Sequence, residues 1–204
     1  YVNLDSLDQD VIFTSRTAYR EYIDKMRPLT DYILENDTTF YRFEKMSHRR
    51  TNDNMALDIN GISSSTSTLN ASIVKLLNQL GYSSKSHWSK YYGGTPVSDS
   101  LLGMKYIITD DDLNTEFFKK LHKENDFSVY QNKYAQSIAF AVSRRAEYID
   151  FGFYETPFEL LNELVTAMLD SDTTVQLFKP VENITETTEN ALKTQATTDY
   201  TKYV

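Results

Sequence analysis

The sequence predicts an α+β fold in which one central mixed sheet of about four to six strands is covered by helices. Segments with apolar residues at helical spacing alternate along the chain with short segments rich in aromatic and β-branched residues. The chain has 204 residues, which is long enough to bury a core without staples. It contains no cysteine, so disulfides and thiolate metal sites are excluded.

The charge of the chain argues against one class of partner. Lys and Arg number 21 against 29 Asp and Glu, a net charge of −8, and the basic residues form no patch. Nucleic acid is therefore not an expected partner. The chain opens at Tyr1 with no signal pattern and no apolar run near the ~18 residues of a membrane span. We expect a piece of a longer protein.

The N-terminal half predicts two helical regions and a strand. Pro28 interrupts the first apolar helical face, which predicts two helices or one kinked helix. "TTFYRFEKM" then predicts a strand. A second helix follows, with Ser67 or Thr68 as its N-cap and Gly81 at its end. The two apolar faces consist of Tyr19, Tyr22, Ile23, Met26, Leu29, Tyr32 and Ile33, and of Leu69, Ile73, Leu76, Leu77 and Leu80.

The segment from 83 to 100, dense in Ser, Gly and aromatic residues, predicts a loop. "LLGMKYIIT" predicts a strand that is central in its sheet, because it is apolar on both faces. "DDDLNTEFFKKL" predicts the start of a helix whose buried residues are Leu113, Phe117 and Leu121.

Two further strands, "FSVYQN" and "QSIAFAVS", are predicted to form a hairpin. A last helix begins at a capping box, with Thr156 as N-cap, Pro157 at the first helical position and Glu159 three residues after the cap. Its expected buried stripe is Phe158, Leu161, Leu164, Val165, Met168 and Leu169.

These elements suggest three parts. Residues 1–37 form an N-terminal helical segment, and residues 38–181 form the main α+β domain. Residues 182–204 are rich in Thr, with few apolar residues. This last part is expected to be either a mobile C-terminal segment or the beginning of a structure whose remainder is missing.

Six consecutive hydroxyl side chains, Ser63 to Thr68, are the first candidate for a binding site. Helix initiation explains the last members of this run but not Ser63, Ser64 and Ser65. These three would present hydroxyl and backbone N–H groups near a helix N-terminus, where an anionic or polyhydroxy ligand could bind. The alternative is that Ser63 to Ser65 are buried and bonded within the protein, so that the whole run is structural.

Asp110, Asp111 and Asp112 follow a strand and form a second candidate. Three carboxylates could hold Mg²⁺ or Ca²⁺ or supply a general acid and base, but helix capping is the favoured interpretation. The three histidines lie in different segments without metal-ligand spacing, so no zinc site is expected. "YYGGTP" favours a tight turn over a phosphate-binding loop. Tyrosine-rich surfaces suit carbohydrate contacts, although core edges are the commoner place for tyrosine.

The order of several segments carries a resemblance to a known family. "FYRFEKM", "NDNMALDINGISSSTSTLNASIVKLLNQLGY", "LLGMKYIITDD", "FSVYQNKYAQSIAFAVS" and "TPFELLNELVTAML" with "LFKPV" resemble the extracytoplasmic region of the YfhO family of bacterial membrane proteins. The likeness spans about residues 38 to 181. Gln136 and Ser137 stand where the family usually has Leu-Pro. The matching positions are Tyr41, Arg42, Gly61 through Ser65, Leu80, Gly81, Leu101 through Thr109, and Val129 through Asn132.

The resemblance implies the extracytoplasmic domain of a multipass membrane glycosyltransferase that uses polyprenyl-phosphate sugars. Such family members act on cell-envelope polymers such as lipoteichoic acid. The catalytic carboxylate of these enzymes usually lies on an external loop between early membrane helices, and this sequence lacks that loop. The fragment alone is therefore expected to have no catalytic residue and no cofactor. It would cover the active site, bind the acceptor or shape the lipid-facing cleft.

The expected partners are the transmembrane helices of the parent protein, a glycan or teichoic-acid acceptor, and the nearby membrane surface on the extracytoplasmic face. The alternative function is a non-catalytic structural or protein-interaction module of a bacterial membrane protein. No metal ligand is expected. The candidate ligand-binding residues are Ser63, Ser64, Ser65, Arg42, Tyr91, Tyr92 and Asp110.

Overall fold

The computed structural model describes residues 16–179, and it confirms the α+β class. The predicted Thr-rich segment, residues 182–204, lies outside the described residues. The helices are α1 (Arg16–Asn36), α2 (Asp53–Ala56), α3 (Ala71–Gln79), α4 (Pro96–Leu101) and α5 (Pro157–Met168), with a 3₁₀-helix at Arg144–Tyr148. The strands are β1 (Arg42–Lys45), β2 (Ser64–Ser65), β3 (Ser83–Lys85), β4 (Trp88–Lys90), β5 (Met104–Thr109), β6 (Phe118–Glu124) and β7 (Phe127–Asn132).

Four strands form the main sheet in the order β1-β5-β7-β6. β1 is parallel to β5, and the other two pairs are antiparallel, so the sheet is mixed. A second, smaller sheet has the order β2-β4-β3 and is antiparallel throughout. The sequence predicts the first sheet but gives no indication of the second.

The main sheet separates two hydrophobic clusters, as its central strand requires. Ile108 of β5 packs in the cluster that includes Met26, Leu29 and Ile33 of α1. Ile107 packs in the other cluster, which includes Leu77 of α3, Leu161 of α5 and residues of the small sheet's surroundings. Burial on both faces confirms that β5 is central.

The first predicted helical region forms one helix rather than two. α1 runs for 21 residues and contains Pro28 within it. It is anchored to the core by Met26, Leu29 and Ile33, which are almost fully buried. Burial of this apolar face offsets the backbone hydrogen bond that a proline inside a helix removes.

The helix predicted to follow Asp110–Asp112 is wrong. Residues 110–117 are irregular and turn-like, and β6 follows them as the edge strand of the main sheet. Asn125, with φ of 55°, makes the tight turn between β6 and β7. Pairing with β7 therefore overrides the helical spacing of Leu113, Phe117 and Leu121.

The predicted strand "QSIAFAVS" is also wrong. β7 pairs with β6 in the hairpin, and residues 136–143 are irregular and mostly exposed. The true hairpin partner precedes β7 in the chain instead of following it.

The segment from 83 to 100 is not the predicted loop, because it contains β3, β4 and α4. Ser86 makes the β3–β4 turn with φ of 52° although it is neither Gly nor Asn, so the usual turn signal is missing. α4 has Thr95 as N-cap and Pro96 at its start, the same pair that begins α5. That Thr-Pro pair is the signal from which α4 could have been predicted.

The predicted N-cap of α3 is wrong by two or three residues. Asn70 is the N-cap, and its side chain accepts the N–H groups of Ser72 and Ile73. The apolar face shifts accordingly, since Val74 is buried and Ile73 is 50% exposed. Gly81 ends the helix with φ of 98°, as predicted.

The capping box of α5 is confirmed. The Thr156 hydroxyl accepts the Glu159 N–H, and the Glu159 carboxylate accepts the Thr156 N–H. The buried stripe includes Phe158, Leu161 and Leu164, as predicted, whereas Leu169 is exposed.

Because Asn70 caps α3, Asn70→Ala should lower the free energy of unfolding by about 1 kcal/mol. Ser67→Ala, a change in an exposed residue of the same segment, is the control and should leave stability nearly unchanged. Chemical denaturation of both variants measures the difference. An equal loss in the two variants, or a larger loss for Ser67→Ala, would contradict this assignment.

Candidate functional site

Ser63, the first residue of the hydroxyl run, is buried and bonded within the protein. Its N–H donates to Glu44 Oε1 over 2.6 Å, and its hydroxyl oxygen accepts the Tyr91 N–H over 2.9 Å. Ser63 therefore joins β1 to the segment after β4. Its hydroxyl faces the protein interior, where it serves the fold.

Glu44 is the centre of this buried polar cluster. The side chain has no exposed surface, and its carboxyl oxygens accept N–H groups from Ser63 and Lys45 and from the Asn54 amide. Burial raises the pKa of Glu44, whereas the Ser63 N–H and the neighbouring Lys45 partly oppose that rise. Removing one member of such a cluster leaves buried polar groups unpaired, which lowers the free energy of unfolding.

Lys45 is buried beside Glu44, and Asn54 bridges the two side chains. Lys45 Nζ donates to Asn54 Oδ1 over 2.8 Å and lies 3.1 Å from His48 Nδ1. Burial lowers the pKa of Lys45, and burial together with the charges of Lys45 and Lys90 lowers the pKa of His48 to about 3. His48 is thus neutral at physiological pH and accepts the Lys45 hydrogen bond through Nδ1.

Position 61 requires glycine, because its backbone lies very close to the Glu44 carboxyl group. A Cβ atom at residue 61 would lie 2.1 Å from Glu44 Oε1 and 2.8 Å from Asn54 Nδ2. Only a residue without a side chain lets the backbone approach the carboxyl group this closely. The Gly-Ile-Ser-Ser sequence thus has a structural explanation in the burial of Glu44.

Ser64 and Ser65 form β2 and are half-buried. The Ser65 backbone pairs with the Asn52 side chain through two hydrogen bonds, of 2.7 and 2.9 Å. Of the three serines predicted to bind a ligand, these two reach the surface.

Arg42 and Asp110 lie at opposite ends of strands. The Arg42 guanidinium donates to the Leu102 carbonyl over 2.7 Å, at the turn that leads into β5. Asp110 is exposed after the last residue of β5. The capping role favoured for the three aspartates is wrong, since no helix follows them. Asp112 instead accepts hydrogen bonds from Lys120 and Tyr130.

Tyr91 is buried and belongs to a second polar cluster. Its hydroxyl donates to Asp99 Oδ2 over 2.8 Å, and the Tyr82 hydroxyl donates to Asp99 Oδ1 over 2.7 Å. Burial raises the pKa of Asp99 to about 6, although the two tyrosine hydrogen bonds act in the opposite direction. The Gly94 backbone lies against the Tyr82 ring, so a Cβ there would be 2.2 Å from it.

Tyr92, the neighbour of Tyr91, is 46% exposed and lines a cleft of about 560 Å³. This cleft is the candidate functional site. One wall consists of the end of α3 and the β3–β4 hairpin, and the other is the segment from Phe151 to the first turns of α5. The Gln79 side-chain amide donates to the Phe151 carbonyl over 2.6 Å and holds the two walls together.

Six aromatic residues contribute to the lining of the cleft. They include Trp88, which is the only tryptophan of the chain. Polar residues also line the cleft, among them Asn78, Gln79 and Ser83, together with the charged Lys85 and Glu155. Binding sites for small organic molecules commonly combine aromatic rings with polar groups in this way. The aromatic lining residues are Tyr82, Trp88, Tyr92, Phe151, Tyr154 and Phe158.

Of the residues predicted to bind a ligand, Tyr92 is the one that lines this cleft. The other lining residues are not predictable from the sequence, because the two walls come from distant segments. The available signal was the single Trp of the chain, four residues before Tyr92 in a segment rich in Ser and Gly. Within residues 16–179, no group of three or more His, Cys, Asp or Glu side chains is placed to hold a metal ion.

The Asp99 cluster predicts a specific pH dependence of stability. Because burial raises the pKa of Asp99 from 3.8 to about 6, the folded state keeps a proton that the unfolded state loses. The free energy of unfolding should therefore fall by about 3 kcal/mol from this group as the pH rises from about 4 to about 6. Asp99→Asn should remove that part of the slope, measured by urea denaturation at each pH.

The control is Asp110→Asn, which removes a carboxylate that is exposed. It should leave the slope between pH 4 and 6 as it is in the unmodified chain. An unchanged slope in Asp99→Asn would show that the buried carboxyl does not hold the extra proton.

Comparison with known proteins places the chain in a family. No curated protein and no solved structure matches it. In residues 16–179, no helix has the length and apolar character needed to cross a membrane. The family model described as bacterial membrane protein YfhO matches residues 1–203, nearly the whole chain. The expected resemblance is thereby confirmed, and the chain belongs to the YfhO family of bacterial membrane proteins.

Proposed function

We propose that this chain is an extracytoplasmic accessory domain of a membrane glycosyltransferase that uses polyprenyl-phosphate sugars. Its role is to bind the acceptor, a cell-envelope polymer such as lipoteichoic acid. The aromatic cleft between the β3–β4 hairpin and the start of α5 carries this proposal. Its volume of about 560 Å³ is in the range of small-molecule sites.

The chemistry of the cleft supports a sugar-containing ligand. Trp88 and Tyr92 offer flat apolar faces for the C–H groups of a sugar ring, and both side chains also have a polar tip. Asn78, Gln79 and Ser83 supply donors and acceptors for hydroxyl groups.

The cleft contains two charged side chains. Lys85 and Glu155 are its charged side chains, and they are the obvious candidates for proton transfer there. As the family resemblance implies, we assign the chemical step to other parts of the parent protein and a binding role to this cleft.

The second candidate is a structural module that packs on the transmembrane helices of the parent protein, on another envelope protein or on the membrane surface. Large apolar side chains at the surface favour this alternative. Tyr148 is 77% exposed and Phe153 is 78% exposed. Such residues suit a protein or lipid interface.

Tyr92→Ala in the intact membrane protein should reduce the sugar content of the envelope polymer by about fivefold, because one aromatic face of the cleft is lost. The protein should remain in the membrane at its normal level. The measurement is the ratio of sugar to polymer in envelope fractions, with the protein quantified by immunoblot.

Tyr148→Ala is the matched control, since it removes an exposed tyrosine outside the cleft. It should leave the sugar content unchanged. If Tyr148→Ala lowers membrane level or sugar content while Tyr92→Ala has no effect, the structural-module alternative is favoured and acceptor binding by the cleft is contradicted.

A further inference from the structure

A glycosylated polyanion has sugar units and phosphate groups, and the charges of the cleft favour the sugar units. Among the described residues that line it, Lys85 and Glu155 are the ones charged at neutral pH, and their charges cancel. Phosphate sites in proteins usually combine several Arg or Lys side chains or backbone N–H donors. The −8 charge of the whole chain also repels a polyanion at long range.

The α5 N-terminus, which opens onto the cleft, is already occupied by a carboxylate. Glu159 Oε2 accepts the Thr156 N–H over 3.2 Å, and Pro157 has no N–H to offer. The Glu159 N–H in turn donates to the Thr156 hydroxyl. A phosphate at this position would face the Glu159 charge and would find these donors in use.

The hydrogen-bonding groups of the cleft instead suit hydroxyl groups. One N–H of each of the Asn78 and Gln79 side-chain amides donates to a carbonyl of the protein, and each amide has a second N–H and an oxygen that can bond a ligand. Ser83 can donate or accept, and the Trp88 indole N–H can donate. Uncharged acceptors and donors beside aromatic faces fit a neutral sugar ring better than a phosphodiester.

We infer that the cleft takes an uncharged pyranose unit, stacked on Trp88 and Tyr92, and does not bind the phosphate backbone of a polymer. This inference rests on the proposed function, in which the cleft is the ligand site of the domain. The inference adds a selectivity to the proposed function, because the domain would recognise sugar that is already attached to the acceptor polymer. Glycan substituents, rather than bare glycerol phosphate, then recruit the acceptor.

The fluorescence of Trp88 tests this inference, because Trp88 is the only tryptophan of the chain and lies in the cleft. The 204-residue chain is titrated with methyl glucopyranoside, methyl galactopyranoside and maltotriose, and separately with glycerol phosphate and unsubstituted poly(glycerol phosphate). At least one sugar should give a saturable change that is insensitive to salt. Tyr92→Ala should weaken that binding about fivefold, whereas Tyr148→Ala should not.

Three results would overturn the inference. A saturable response to the phosphate probes that weakens with salt, without a response to sugars, would reverse the selectivity but leave the cleft as an acceptor site. Equal responses to both classes of probe would remove the selectivity. If no probe changes Trp88 fluorescence or the resonances of cleft residues at millimolar concentration, both the inference and the proposed acceptor site are wrong.

Discussion

The burial of the Glu44 carboxyl group is the constraint on which the rest of this structure depends. The carboxyl group accepts hydrogen bonds from the Asn54 amide and the Ser63 N–H, which fix α2 and the segment after it against β1. The Ser63 hydroxyl then accepts the Tyr91 N–H, and Tyr91 donates to Asp99. These hydrogen bonds position the backbone next to Tyr92. The buried polar cluster therefore helps to hold the cleft wall that contains Tyr92 in place.

Local signals predict the elements that are stabilised locally. The Thr156–Pro157 start of α5 needs only its own first turn, and β5 is recognisable because both of its faces are apolar. β6 depends instead on its pairing with β7. The spacing of Leu113, Phe117 and Leu121, of which only Leu121 lies in the strand, is that of a helix. The β3–β4 hairpin escapes prediction because Ser86 adopts a positive φ that sequence patterns reserve for Gly and Asn.

The candidate site was predictable to a smaller extent, for a similar reason. The Gly61 to Ser65 segment stands out in the sequence, but the approach of Gly61 to Glu44 and the burial of Ser63 explain its first part through packing. The cleft combines residues 78–93 with residues 151–160, and a sequence pattern does not show that these segments meet. Tyr92 is the predicted ligand-binding residue that lines the cleft, whereas Trp88 and Tyr154 become significant only once the two walls are opposite each other.

The central claim is that the Gly61 to Ser63 segment serves the fold and that ligand recognition lies in the cleft. Urea denaturation of Gly61→Ala, combined with sugar titration of any folded fraction, tests it most directly. A Cβ 2.1 Å from Glu44 Oε1 must displace a buried carboxyl group. The variant should therefore lose about 3 kcal/mol of stability or more, or fail to fold. Gly152→Ala, whose nearest neighbour is an Asp150 oxygen at 3.3 Å, is the control and should stay close to the original stability. Full stability of Gly61→Ala with loss of sugar binding would contradict the claim.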